Sequence, residues 1–573
     1  MERARESTPL VLVSRRVAFW VLALLSAQFL ALGLVQAWRD SPTFDEMFHL
    51  AGGVTALTEH QLRLTPEHPP LPKVLAALPA LADHPVIPHG ENWRSGDGFT
   101  YPVEFLQAQL DAGKLQRVTF LSRLVPLAIA VGTGWALYAL AASLFGRAAG
   151  LLAGGLWLTT PLVLGLGHIN GNDVAFTLSV VLAVQALLRY SRAPTWLNAG
   201  LVGVAGGATL LVRITGLAIV PVLAATVVLV ATPRLSIRLL RGGLVLVVAW
   251  AALWIGMRAV SPVPDFTHVD PMPGVDAPLA ADAVRFVPWP EEFDTGIYDT
   301  ARYNTVKTPG YLLGDAWSDA ASWWHWPGSL VVKLPFTMFA ALVGGLVCWW
   351  RVDRARRRRA AIVLVAPVIV LTATVLPWPR PVVRYLLPVI ALGLVAMSPL
   401  VAIARRTWGK VLLGVLVASQ LVFLWQSQPH SLAWTAPPFR PGYRVAADSN
   451  LDWGQDFYRL RGWAKGKKPV VLYFGPVDPV PNIPGSQPLF TPTDKGIVNI
   501  IDREALRDRW LAVSATALTA TYSRPALAWL RAYCPVDNLG GTILLYRFHE
   551  PPNYKLRGPD RPAAPCDGDI SHP

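Results

Sequence analysis

Residues 40–73 read DSPTFDEMFHLAGGVTALTEHQLRLTPEHPPLPK and follow directly on residues 17–37, an apolar segment long enough to cross a bilayer as a helix. The stretch carries a dense set of ionisable side chains, namely Asp45, Glu46, His49, Glu67, His68 and Lys73. A chain rich in apolar segments has use for such a set only where the side chains face water. We therefore interpret the stretch as part of an external loop, and we expect the chemistry of the protein there.

The composition is that of a polytopic membrane protein. Of the 573 residues, 53% are hydrophobic and 15% are charged, whereas soluble domains carry about 25% charged residues. The formal net charge is +14, and the basic residues lie in short clusters between apolar runs. The positive-inside rule explains this distribution more simply than nucleic-acid binding does. We therefore expect membrane lipids, and no nucleic acid, among the partners.

Apolar runs predict about eleven transmembrane helices, since a helix of roughly twenty apolar residues crosses the hydrocarbon core. The region around Arg213 is the least regular, because this residue separates two short runs. The candidate spans are residues 17–37, 121–144, 149–167, 174–190, 197–212, 214–231, 242–260, 328–350, 360–377, 385–404 and 410–427.

Basic clusters fall on one side of the membrane when these spans alternate. Arg15 and Arg16 precede the first span, and the run from Arg351 to Arg359 falls on the same side. Residues 1–16 are therefore predicted to be a cytoplasmic N-terminus, and the protein is predicted to lie in the plasma membrane. The loops 38–120 and 261–327 are predicted to be extracytoplasmic and to form the active site of a transmembrane domain, residues 17–430.

The composition changes towards the C-terminus. Residues 431–550 are predicted to form a small extracytoplasmic α/β domain, and residues 551–573 a disordered tail. Cys534 and Cys566 pair if both lie outside the cytoplasm, and the sequence leaves this open. Within the domain we predict two strands and two helices, the strands at residues 470–474 and 542–548 and the helices at 503–510 and 525–533.

Asp45 and Glu46 are the first candidates for catalysis. Adjacent residues on a helix point about 100° apart, so one carboxylate can face a cleft while the other supports it. A carboxylate that takes a proton from a hydroxyl, with cations that stabilise a phosphate leaving group, suffices for an inverting group transfer. The alternative is that both residues cap a helix or are solvated.

Glu67 and His68 precede two prolines and Lys73. A carboxylate and an imidazole suit a divalent metal ion, but two ligands do not complete a site. Glu67 can instead pair with Lys73, and His68 can bond the backbone of the turn. Metal binding therefore stays one of several readings.

Polar side chains at predicted span ends form a second set of candidates. His168, Asn172 and Asp173 are predicted to border the same cleft as Asp45 and His49, although residues at such positions often only cap helices. Cations on the outer side suit a lipid phosphate, or else only anchor the helices at the headgroups. The candidate phosphate-binding residues are Arg213, Lys333, Arg384 and Tyr385.

Several motifs together resemble the bacterial members of glycosyltransferase family 39, which are related to protein O-mannosyltransferases and to the aminoarabinose transferase of lipid A. The resemblance runs from about residue 38 to about residue 548. The motifs are Asp45-Glu46 with His49, EHPPLPK (67–73), Phe145-Gly146, HINGND (168–173), YLLGDAWSDAASWWHWPGSLVVKLP (311–335), RYLLP (384–388), DSNLDWGQD (448–456) and LYFGPVDP (472–479).

This resemblance implies a GT-C fold, a polyprenyl-phosphate-linked sugar donor and inversion at the sugar. It implies that Asp45 is the general base, and that Glu67 matches a metal-binding position to which His268 or His325 would add a ligand. The acceptor, a glycan, lipid or protein, does not follow from it. Rival interpretations are a protein O-mannosyltransferase acting on Ser or Thr, a flippase for lipid-linked sugars, and a scaffold that presents the C-terminal domain.

Overall fold

The computed structural model describes residues 13–230, 234–263, 266–272, 274–278, 282, 284–306, 308–375, 381–492, 498–521 and 523–573. Most of the predicted cytoplasmic N-terminus, residues 1–12, lies outside the described residues. The description below concerns the described ranges alone.

Among the described residues up to Gln426, the regular elements besides one small hairpin are helices. They are α1 (Arg15–Arg39), α2 (Phe44–Thr58), α3 (Pro70–Ala80), α4 (Glu91–Ser95), α5 (Thr100–Asp111), α6 (Leu115–Phe145), α7 (Arg147–Thr159), α8 (Pro161–Gly167), α9 (Asp173–Arg192), α10 (Trp196–Val212), α11 (Gly216–Val230), α12 (Leu235–Val260), α13 (Glu291–Tyr303), α14 (His325–Lys333), α15 (Phe336–Cys348), α16 (Arg354–Val375), α17 (Leu387–Met397) and α18 (Thr407–Gln426). Short 3₁₀ turns at Val383–Leu386 and Ser398–Arg405 flank α17.

Each of the eleven predicted spans overlaps a helix. Among the described helices, six are long and apolar enough to cross a membrane, and the number rises to eight if each of two bent pairs is one span. The multi-pass architecture is therefore confirmed, while the count of eleven stays a prediction. Two further apolar helices, α10 and α11, are shorter than the others and meet at Arg213.

Two of the predicted spans are sharply bent. The axes of α7 and α8 differ by 61°, and those of α14 and the helical segment from Phe336 differ by 109°. Proline causes both breaks, because it forces its predecessor into extended backbone. Thr160 precedes Pro161 with ψ 122°, and Leu334 precedes Pro335 with ψ 138°.

The C-terminal region contains a five-stranded mixed sheet. Its order is β4-β3-β7-β9-β8, in which β3 runs parallel to β4 and β7 while β9 runs antiparallel to β7 and β8. The β1–β2 hairpin and the β5–β6 ribbon are separate. The strands are β1 (Gly310–Leu312), β2 (Asp315–Trp317), β3 (Val470–Leu472), β4 (Gln487–Pro488), β5 (Phe490–Pro492), β6 (Val498–Ile500), β7 (Trp510–Ser514), β8 (Asp537–Leu539) and β9 (Ile543–Arg547).

The two predicted strands of this region are confirmed by β3 and β9. The two predicted helices are wrong, because residues 503–506, 524–527 and 530–532 form only 3₁₀ turns and β7 begins at Trp510. The α-helices of the region are α19 (Phe457–Trp463), α20 (Pro479–Asn482) and α21 (Ala515–Thr519).

The tail 551–573 differs from the predicted disorder. Cys534 and Cys566 form a disulfide, which ties the tail to the domain. The backbone N–H of Ser571 donates to the carbonyl of Arg547 at 2.9 Å, and that of Gly558 donates to the carbonyl of Ala528 at 2.8 Å. Apolar periodicity could not reveal this arrangement, because the tail bonds mainly through its backbone.

Candidate active site

Helix α2 begins with a capping box that sets the direction of Asp45. The backbone N–H of Thr43 donates to Glu46 at 2.8 Å, and the Thr43 side chain bonds the third residue of the helix in return. Asp45 therefore lies in the first turn of the helix. The exposed fraction of its side chain is 19%, whereas Glu46 is almost fully buried.

Two carboxylates and two guanidinium groups alternate in what we call the charged cluster, formed by Asp45, Arg384, Asp173 and Arg213. Arg384 lies 2.5 Å from Asp45 and 3.8 Å from Asp173, and Arg213 lies 2.7 Å from Asp173. Asp173 begins α9, and Arg213 ends α10. Residues far apart in the chain thus meet at one site, as the sequence analysis predicted.

Aromatic rings hold the two guanidinium groups in place. The ring of Tyr385 lies 4.4 Å from the guanidinium carbon of Arg213 and 4.9 Å from that of Arg384. Trp453 covers Arg384 at 4.3 Å. Cation–π contacts of this kind are stronger when the partners are desolvated. Trp453 is a site residue that the sequence analysis missed, although its motif DSNLDWGQD was noted.

Two histidines border the charged cluster. The rings of His49 and His68 are 4.7 Å apart. Burial lowers the pKa of His49 to about 4, although the charge of Asp45 acts in the opposite direction. Burial also holds the pKa of His68 well below its usual value, with the charge of His49 as the next cause. Both rings are therefore neutral at physiological pH, which suits contacts with sugar hydroxyls.

Glu67 and His68 do not form a metal site by themselves. Their closest side-chain atoms are 4.0 Å apart, and burial raises the pKa of Glu67 to about 7, which disfavours the anionic form that a metal needs. The Lys73 amine bonds the carbonyl of Thr65 at 3.2 Å. Within the described ranges, one group of three possible metal-ligand side chains has its ligand atoms within 4.8 Å of one another. It consists of Cys534, Cys566 and His572, and its cysteines are disulfide-bonded.

Of the two later histidines considered as metal ligands, His268 lies near Glu67 and His325 does not join it. His268 is 3.1 Å from Asp299, and its charge lowers the pKa of Glu67. His325 is 3.1 Å from Asp315 of the β1–β2 hairpin. Neither brings a third ligand close enough to Glu67 and His68, so no chemical step is assigned to a metal.

Glu46 is not in the charged cluster, which corrects its predicted catalytic role. Its two oxygens accept hydrogen bonds from Arg123 at 2.8 and 2.6 Å, from the Thr43 N–H and from the Asn170 N–H at 2.8 Å. Burial alone would raise the pKa of Glu46, but the charge and hydrogen bonds of Arg123 lower it. Glu46 anchors the segment between α1 and α2 and has no oxygen left for a substrate.

His168 does not border the charged cluster either. Its two ring nitrogens lie 2.9 Å from Asp40 and 2.9 Å from the carbonyl of Leu164, and the side chain is fully buried. Asn172 is the residue before α9 and accepts the Phe176 N–H at its carbonyl, so it acts as a helix cap. Both residues therefore support the backbone around Asp173 and do not face the charged cluster.

Lys333 is the third correction. Its amine donates to the carbonyls of Leu432 at 2.8 Å and Trp434 at 2.5 Å, and the side chain is almost fully buried. These carbonyls belong to the segment after α18, so Lys333 ties the membrane half to the C-terminal region. The buried amine thus makes a structural contact and does not face the charged cluster.

Two apolar grooves approach the charged cluster from different sides. One has a volume of about 550 Å³ and is lined by residues of α3, α6, α9 and α10, including Ala175 and Val212 beside the cluster. The other has a volume of about 430 Å³ and is lined by residues of α14 to α17, including Leu386 beside Tyr385. Each groove has the volume and the apolar lining to take a hydrocarbon chain.

Asp452 lies buried in the C-terminal region, within the motif DSNLDWGQD. It accepts the backbone N–H of Thr516 at 2.9 Å, yet burial raises its pKa to about 7. Its unfolded value is near 4, so the folded state favours the protonated form. The contribution of protonated Asp452 to the free energy of unfolding is fully present at low pH. It is lost as the pH rises from about 4 through 7.

We expect Asp452→Asn to remove this loss. The melting temperature of the detergent-solubilised full chain should fall less steeply between pH 5 and pH 8 in the variant than in the natural protein, since the amide does not titrate while Glu67 still does. Glu504→Gln, an exposed position of the same domain, serves as the control. An unchanged pH slope in Asp452→Asn would contradict the assignment.

Part of the chain matches a known protein family. Residues 114–263 match the family model of dolichyl-phosphate-mannose-protein mannosyltransferase, a range that contains Asp173 and Arg213 of the charged cluster. A search of the curated proteins finds no match. The predicted resemblance to protein O-mannosyltransferases is thus confirmed over the matched residues, which make up 150 of the 573 residues of the chain.

Solved structures with similar architecture include ArnT from Cupriavidus metallidurans bound to undecaprenyl phosphate, at 16% identity and a TM-score of 0.44, covering 78% of this chain and 69% of that one. The oligosaccharyltransferase of Archaeoglobus fulgidus with zinc and sulfate aligns at 11% identity and a TM-score of 0.46, covering 90% and 71%. Its apo form aligns at 13% identity and a TM-score of 0.39, covering 79% and 58%.

Proposed function

We propose that the protein transfers a sugar from a polyprenyl-phosphate donor to a hydroxyl acceptor at the outer face of the plasma membrane, with inversion and with Asp45 as the general base. The observation that carries this proposal is the charged cluster. It places Asp45, the more exposed of its two carboxylates, beside Arg384, while the second guanidinium group, that of Arg213, pairs with Asp173 in the same site. This is the inventory that an inverting transfer from a phosphate needs.

Arg384 and Arg213 would hold the donor phosphate. Their guanidinium carbons lie 4.9 and 4.4 Å from the Tyr385 ring, and both groups already bind carboxylates, whose geometry resembles that of a phosphate. A donor phosphate competes with Asp45 for Arg384. Binding of the donor therefore frees the Asp45 carboxylate to accept a proton.

The charged cluster supplies the groups that the chemical step uses. The acceptor oxygen attacks the anomeric carbon, the bond from that carbon to the phosphate oxygen breaks, and Asp45 takes the acceptor proton. The leaving polyprenyl phosphate takes the electron pair of the broken bond and so gains a negative charge, which the two arginines stabilise. Attack opposite the leaving group inverts the anomeric configuration.

The larger groove would hold the polyprenyl chain. It reaches Val212 and Ala175, which are neighbours in sequence of Arg213 and Asp173, so a chain lying in it brings its phosphate to the charged cluster. The lining is mostly aliphatic, with Ser179, Gln185 and Arg189 among its few polar residues. This proposal includes the predicted eleven spans, which place the charged cluster on the extracytoplasmic side.

A protein hydroxyl is the second candidate acceptor. The family match at residues 114–263 carries a description that names proteins as the acceptors of mannose, and this favours Ser or Thr over a glycan. The site does not itself discriminate among hydroxyls. A flippase receives less support, because the grooves near the cluster are apolar.

The experiment is transfer in proteoliposomes. The purified full chain is reconstituted with polyprenyl-phosphate sugars of long and short prenyl chain, and envelope extract from a deletion strain supplies acceptors. We expect transfer that is faster with the long chain, and products whose anomeric configuration is inverted by NMR. Absence of transfer with every donor, or retention of configuration, would refute the proposal.

A further inference from the structure

The motif DSNLDWGQD, residues 448–456, packs against the two segments that carry Arg384 and Asp45 of the charged cluster. It belongs to the C-terminal region, about 70 residues after Arg384 and about 400 after Asp45. Neither the proposed reaction nor the family match at residues 114–263 gives this motif a role. Its contacts nevertheless reach three points of the site.

The first contact is with the backbone before Arg384. The side-chain carbonyl of Asn450 accepts the N–H of Val383 at 2.9 Å, and its amide donates to the carbonyl of Pro381 at 3.2 Å. Asn450 is 4% exposed, so both bonds are shielded from water. This segment is a 3₁₀ turn and not a regular α-helix, which makes such side-chain bonds important for its position.

The second contact is with the Arg384 side chain. The Trp453 ring lies 4.3 Å from its guanidinium carbon and is 3% exposed. Tyr385 also lies against the guanidinium, at 4.9 Å. The side chain is therefore held by two aromatic rings in addition to its ion pair with Asp45.

The third contact is with the start of α2, which carries Asp45. The N–H of Phe44 donates to the Trp453 carbonyl at 2.9 Å, and the N–H of Ser41 donates to the Gln455 carbonyl at 2.9 Å. Phe474 of the motif LYFGPVDP stacks on Phe44 with ring centroids 5.5 Å apart. One segment thus sets the position of the proposed base and of the proposed phosphate ligand.

We propose that Trp453 is a positioning residue for the donor phosphate, and that the C-terminal domain completes the active site through residues 448–456. The ring face of Trp453 holds the Arg384 guanidinium in the orientation that a phosphate oxygen meets. This inference rests on the proposed function in one respect, namely that Arg384 binds the donor phosphate.

The test compares Trp453→Phe, which keeps a ring face, with Trp453→Leu, which keeps only apolar volume. Binding of undecaprenyl phosphate to the full chain in detergent should stay close to that of the natural protein in the Phe variant. It should weaken by about 3- to 30-fold in the Leu variant, which is the range that a cation–π contact supports. Trp463→Leu, in the same domain, is the matched control and should bind normally.

A merely structural role predicts a different pattern. If the Leu variant binds as tightly as the natural protein, or if the Phe variant is weakened as much as the Leu variant, the ring face has no positioning role and the inference is wrong. The Phe and Leu pair keeps the test decisive even if Trp453→Ala does not fold.

A second measurement separates this inference from the proposed function. Phenylglyoxal modifies accessible arginines, and mass spectrometry reads the extent at each site. We expect Arg384 to be modified faster in Trp453→Leu than in Trp453→Phe, with exposed Arg117 unchanged. If undecaprenyl phosphate fails to bind even the natural protein, the donor proposal falls, and the labelling of Arg384 alone decides whether Trp453 positions it.

Discussion

Asp45→Asn should reduce sugar transfer by about 10²- to 10⁴-fold, the contribution that a general base makes. The amide keeps the size of the carboxylate but cannot accept the acceptor proton. Binding of undecaprenyl phosphate should be retained or tightened, because Arg384 loses the ion pair that now occupies it at 2.5 Å. Turnover in proteoliposomes and equilibrium binding in detergent measure the two effects separately.

The matched control is Glu91→Gln. Glu91, like Asp45, lies in the segment between α1 and α6, and its side chain is exposed. Among the contacts described for it, it pairs only with Arg94, at 3.6 Å. Its substitution should leave transfer unchanged. If Asp45→Asn keeps more than about a tenth of the natural turnover, the general base is another group and the mechanism fails.

The second large effect concerns stability. Arg123 donates to both oxygens of Glu46 and to the carbonyls of Ala37, Asp40 and Ser41, and its side chain is fully buried. Arg123→Met leaves the Glu46 carboxylate buried without its counter-charge. Removing one partner of a buried ion pair costs about 3–5 kcal/mol, so the variant should unfold at a clearly lower temperature or denaturant concentration.

Arg117→Met provides the comparison on the same helix. Arg117 lies 2.8 Å from Asp83 but is 66% exposed, and such a pair contributes about 1 kcal/mol or less. Thermal unfolding of the full chain, followed by tryptophan fluorescence in detergent, should therefore separate the two variants. Adding Glu46→Gln to Arg123→Met should restore part of the loss, and equal stability of the two single variants would contradict the role of the pair.

Sequence reasoning located the charged cluster because its members lie at the ends of apolar segments. Asp45, Asp173, Arg213 and Arg384 all stand where a helix begins or ends, and the orientation rule assigned those ends to one side. Tyr385 came with Arg384 as its neighbour. An ionisable group at a membrane boundary needs a partner, so the residues most in need of partners were also the ones found together.

The errors have a common physical cause. Glu46, His168 and Lys333 also lie near helix ends, but each is satisfied by a remote segment: Glu46 by Arg123, His168 by Asp40, and Lys333 by the carbonyls of Leu432 and Trp434. Residue type and spacing do not reveal which of several polar groups will find an internal partner. That choice depends on tertiary packing between segments that are distant in the chain.

The tail links chain order to the assembly of the site. The Arg444 side chain donates to the carbonyl of Pro562 at 3.0 Å, and Tyr443 donates to that of Ala563 at 3.3 Å, directly before the motif at residues 448–456. Residues 562 and 563 are synthesised after every helix that carries a member of the charged cluster. A chain that has not been translated past residue 563 lacks these two bonds, so the segment that leads into the motif becomes fixed only after all the helices of the charged cluster have been made.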